Sequence, residues 1–112
     1  ISSSGQQATS QGDIAALQSQ AELAKSSLQS KDLWDNANVT SISSSSMNVT
    51  IGSVDYVVVI TDTQYGGDSD LDDAEAYEDQ YLENIYDACI NENDVVACKI
   101  VAALGSGKWQ SS

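Results

Sequence analysis

Residues 47–60 read MNVTIGSVDYVVVI, and this stretch decides the fold. Met47, Val49 and Ile51 alternate with Asn48 and Thr50, the period-two pattern of a strand with one apolar face. Gly52-Ser53 then supplies a two-residue turn with glycine first, which suits a type II′ hairpin. After the turn, Val54, Tyr56, Val58 and Ile60 share one face and Val57 and Val59 the other. A strand apolar on both faces is ordinarily central and covered on both sides. Upstream, Val39, Ser41 and Ser43 alternate with Thr40 and Ile42 before a run of serines, which reads as an outer strand. The expectation is a three-stranded antiparallel meander over 38–43, 47–51 and 54–61.

The flanks are helical. Ile14, Leu17, Ala21, Ala24 and Leu28 recur at three- and four-residue steps, a narrow stripe over two heptads. Gly12 precedes this run and Asp13 is placed to cap it, predicting a helix over about residues 13–31. The stripe is Ala-rich, so a close neighbour must cover it, and the domain's own sheet is the expected one. Downstream, Gly66-Gly67 breaks the chain, and Ala74, Tyr77, Tyr81, Ile85 and Ala88 or Cys89 follow a second helical stripe that starts at about Leu71. Glu75, Glu78, Asp79, Glu83 and Asp87 lie on its outer side. Asp94 caps a third helix, VVACKIVAAL, whose stop at Gly105 matches a left-handed glycine cap. Cys89 and Cys98 fall in facing turns of these last two helices, where a disulfide would pin a helical hairpin. With eight intervening residues, the loop-entropy model gives it about 2–3 kcal/mol.

The fold class expected is therefore α+β: an N-terminal helix, a three-stranded antiparallel meander and a C-terminal disulfide-pinned helical hairpin. A chain of 112 residues is one domain's worth. Residues 13–112 read as that domain and residues 1–12, ISSSGQQATSQG, as a flexible or subunit-contacting arm. The opening lacks methionine and reads as a processed product or a fragment. The order of helix, meander and C-terminal disulfide loop resembles that of truncated pilin headgroups. The acidic tail departs from that pattern.

Composition excludes several functions. The formal net charge is −13, and between Asp32 and Cys98 there are fifteen acids and no base. Such a field repels nucleic acid, because phosphate binding needs Lys or Arg to displace counterions. It attracts cations and basic proteins and also favours solubility. No run of about 18 apolar residues is present, so no membrane span is expected. The chain has no His, hence no imidazole base and no usual zinc site. It has no Arg to clamp a phosphate or carboxylate. The sequence thus reads as non-enzymatic. The cysteine pair and two Asn-Val-Thr sequons, with acceptors Asn38 and Asn48, place the protein in an extracytoplasmic, secreted setting.

The densest chemistry is DSDLDDAEAYED at residues 68–79, with seven carboxylates in twelve positions. Asp68, Asp70 and Asp72 have the 1-3-5 spacing of a calcium loop. The sixth position is Asp73, not glycine, and the twelfth is Asp79, not glutamate. The preferred reading is a helix start, where the macrodipole favours anions by roughly 0.3–1 kcal/mol each. Calcium at Asp68, Asp70 and Asp72 is the secondary one, and no other cofactor is expected. Tyr77, Tyr81 and Tyr86 are expected to pack over the sheet with hydroxyls at its rim. Trp34 is expected in the core, and Trp109 either folds back or anchors a partner.

Two functional readings follow. The first is a structural, self-assembling subunit of filament or surface type, acting through protein–protein contacts. The alternative is a soluble secreted binder, such as an effector, a toxin component or a toxin-neutralising protein. Its acidic helix would dock a basic partner through Asp72, Glu75, Asp79, Glu83, Tyr77 and Tyr81.

Overall fold

The computed structural model describes residues 11–43, 46–60 and 73–111. The first helix, α1, spans Gln11–Ser30. Three strands follow: β1 (Ala37–Ile42), β2 (Ser46–Ile51) and β3 (Val54–Val59). A 3-10 turn at Asp73–Tyr77 leads into a two-residue strand, β4 (Gln80–Tyr81). Helices α2 (Leu82–Asn91) and α3 (Val95–Ser106) form the hairpin, and β5 (Lys108–Ser111) closes the described chain. The mixed α+β architecture and the order of its parts are those the sequence predicts.

The meander forms in the expected register, with Ile51 opposite Val54 across the Gly52-Ser53 turn. Gly52 has φ +63° and Ser53 is not in the positive-φ region, the signature of the type II′ turn. Two short strands extend the sheet beyond the meander, giving the antiparallel order β4-β1-β2-β3-β5. Val39, Met47, Val49 and Val58 point to the helical side and are essentially fully buried. Leu28 of α1, Leu82 and Ile85 of α2, and Ile100 and Leu104 of α3 complete that core. The other face of the sheet carries Asn48, Thr50, Asp55, Val57 and Val59, and no described element covers it. The expectation that both faces of β3 would be covered does not hold. β3 is an interior strand, paired with β2 and β5, yet Val57 and Val59 remain half-exposed.

The α1 stripe is real, with Ala21, Ala24 and Leu28 buried. Its closest backbone neighbour is α3 and not the sheet. The reason is Gly105. A Cβ at that position would lie 2.3 Å from the Ala24 Cβ, so only glycine lets the two helices come this close. Gly105 therefore does not end α3 as a left-handed cap. The helix continues to Ser106, and its C-cap Gly107 has φ −78°.

The acidic segment also departs from expectation. A continuous helix from Leu71 would run through Asp79, but Asp79 has φ +67° and the next two residues pair with β1. The Asp79 N–H donates to the Val39 carbonyl oxygen at 2.5 Å, and a Glu78 carboxylate oxygen accepts the Ile42 N–H at 2.9 Å. These bonds satisfy the outer edge of β1 beside a bulge at Thr40. Edge pairing outweighs the modest helical preference of the segment, and α2 begins only at Leu82.

Candidate functional site

The disulfide expected between Cys89 and Cys98 is formed, with Cα atoms 4.8 Å apart and both residues fully buried. It closes the α2–α3 hairpin. Asp94 caps α3 by accepting from the Val96 and Ala97 N–H groups. The Tyr77 hydroxyl donates to the other oxygen of the same carboxylate, tying the 3-10 turn to the start of α3. Burial first, then that hydrogen bond and the negative charge of Asp94, push the Tyr77 hydroxyl well above the usual tyrosine value. From α1, the Gln18 amide donates to the Cys89 carbonyl and to the Asn93 side chain, both at 2.9 Å.

A second cluster gathers where the C-terminal end of α1 meets the N-terminal end of α2. The Trp34 indole N–H donates to one Glu83 oxygen at 2.7 Å, and the Lys25 ammonium donates to the other at 3.2 Å. Lys25 also lies 4.4 Å from the Tyr86 ring centroid and 5.5 Å from that of Trp34, within cation–π range. The two rings meet edge to face at 5.9 Å. The Glu83 carboxyl is held below its usual value, chiefly by the indole hydrogen bond and then by Lys25, with burial opposing. Beside this cluster opens a cavity of about 470 Å³, bounded by Trp34, Asp35, Asn36, Tyr81, Glu83 and Asn84. It combines two aromatic residues, two carboxylates and two amides, and Tyr81 is 52% exposed at its rim. Such a lining suits an organic cation.

Of the six residues expected to form an acidic docking face, only Tyr81 and Glu83 meet in this cavity. Glu75 is exposed on the 3-10 turn, Asp79 is exposed at the edge of the sheet, and Tyr77 is turned toward Asp94. Asp72 lies outside the described residues, as do Asp68 and Asp70 of the calcium reading. Among the described residues no three carboxylates or thiols converge on a common point. Asp35, Asn36 and Asn84 were missed by sequence reasoning. Asp35 and Asn36 sit in a turn and Asn84 on a helix, and no periodicity links them.

Both sequons lie in strands on the open face of the sheet. Asn48 is exposed. Asn38 is half-buried between Thr50 of β2 and Tyr81 of β4, and its side-chain oxygen is buried without a hydrogen-bond partner. Trp34 is in the core as expected, 2% exposed. Trp109 folds back: its indole N–H donates to the Leu104 carbonyl at 2.9 Å, and its ring meets Tyr56 edge to face. No family model matches the chain, and no curated protein or solved structure matches it. The likeness to pilin headgroups therefore rests on element order alone. No described helix is long and apolar enough to cross a membrane.

Proposed function

We propose that this protein is a non-enzymatic, extracytoplasmic subunit that works by assembling with other subunits through protein–protein contacts. The observation that supports this most is the sheet itself. Its Val57 and Val59 face is covered by no described element, and a depression of about 470 Å³ lies over Thr40, Asn48, Thr50, Asp55 and Val57. The outer edge of β5 pairs with no described strand. Free edges and uncovered faces are the usual means by which small sheet proteins join. A buried disulfide suits an oxidising compartment, and the absence of a membrane-spanning helix among the described residues agrees with contacts made outside a bilayer. The acidic docking helix of the alternative reading is broken at Asp79, which favours assembly over it.

The test is the mass of the native, oxidised chain by light scattering behind a sizing column across a range of concentrations. A species that grows with concentration, and shrinks when residues 1–11 are deleted or Val57 and Val59 are changed to Lys, supports the assignment. A single monomeric species at every concentration sinks it.

A further inference from the structure

The cavity at Trp34, Tyr81 and Glu83 lies at one edge of the sheet, and the far edge carries a group that suits it. Resting on the assembly reading above, we infer that the cavity receives Lys108 of a second copy, so that subunits join head to tail. The sequence has four lysines and no Arg or His, so the side-chain cations a second copy offers are Lys25, Lys31, Lys99 and Lys108. Lys25 is held by Glu83 and two aromatic rings. Lys99 has contacts within its own molecule. Lys31 lies three residues before Trp34, at the same end of the molecule as the cavity. Lys108 is exposed on β5, at the edge of the sheet opposite β4.

The two edges are complementary. The β4 edge carries the cavity with the Asp35 and Glu83 carboxylates and the exposed Asp79. The β5 edge carries an ammonium on a strand whose outer side pairs with no described strand. A lysine entering the cavity meets the Asp35 carboxylate, the Asn36 and Asn84 amides and the Tyr81 ring, with Glu83 shared between Trp34 and Lys25 behind them. Each copy then offers one cavity and one lysine on opposite edges. A contact between unlike surfaces repeats without closing unless a rotation returns it to the start, which gives a filament or a ring. An arrangement through Lys31 would instead pair like surfaces and stop at a dimer.

The experiment uses the full oxidised chain and light scattering, with circular dichroism to verify folding. Asp35 and Lys108 are both exposed, so their substitution leaves the core intact. Lys108→Glu and Asp35→Lys should each raise the concentration at half-assembly at least tenfold. An equimolar mixture of the two variants should recover large assemblies in which they alternate, since each variant's cavity then meets an edge charge of opposite sign on the other. The double variant Lys108→Glu with Asp35→Lys should recover large assemblies. If the wild type assembles and Lys108→Glu assembles equally well, or if Lys31→Glu alone abolishes assembly, the contact is wrong while the assembly reading survives. A wild type that stays monomeric overturns both.

Discussion

The two faces of the β2–β3 hairpin are made by neighbouring residues and live in different environments. Val49 and Val58 are fully buried beneath the helices. Asn48, one residue from Val49, is exposed, and Val57, one residue from Val58, is half-exposed on the open side. The backbone is the same on both faces, so the contrast isolates what packing adds to a strand. One face is held by helices tied together through a disulfide and a glycine contact. The other presents polar and β-branched residues to whatever meets it.

The sharpest way to break this comparison is to place the same charge on each face. Val49→Asp buries a carboxylate among Val, Leu and Met side chains and should cost more than about 4 kcal/mol, a large share of a small domain's stability. Asn48→Asp should change stability by no more than about 0.5 kcal/mol. Urea unfolding of the two variants measures both, and equal losses would mean that the open face is covered. The helical side can then be loosened without touching the sheet. Replacing Cys89 and Cys98 by Ser should lower stability by about 2–3 kcal/mol, read from the urea midpoint under non-reducing conditions.

Gly105→Ala is next in size. The methyl would meet Ala24 at 2.3 Å, and overpacking of this kind costs about 1–3 kcal/mol, set against up to about 1 kcal/mol of better helix propensity. A net gain in thermal stability would show that α1 and α3 are not in close contact. The smallest effect belongs to Glu83. Its folded value lies below the ordinary 4.5, so the stability it contributes is present above that pH and is lost as pH falls further. Its side chain is 53% exposed, so solvent screening limits the effect to about 1 kcal/mol or less. Stability measured from pH 6 down to pH 3 should fall more steeply for the wild type than for Glu83→Gln.

Much of the molecule was legible in residue order. Period-two alternation located β1, β2 and β3, and a glycine followed by serine located their tightest turn. The three-and-four spacing from Ile14 to Leu28 located α1 and its buried side, and the spacing of Cys89 and Cys98 across a capped helix start located the disulfide. These are local signals, carried by neighbours within one or two turns of chain. The cavity was only half legible. Tyr81 and Glu83 were legible as candidates for a docking face, although Tyr81 was expected to pack over the sheet and is 52% exposed. Asp35, Asn36 and Asn84 join them only because β4 docks on β1.

The sequence by itself determined the order of first helix, meander and helical hairpin, the strand register across Gly52-Ser53, the acidic field and the lysine inventory, because each depends on composition or on residues close in the chain. The tertiary structure alone decided which face of β3 would stay open, since that depends on where the helices pack. It also decided that Gly105 serves close contact with Ala24 instead of a helix stop, and that residues 79–81 would leave their helical pattern to satisfy the edge of β1. In each case a contact between residues distant in sequence outweighed a local preference worth about 1 kcal/mol or less.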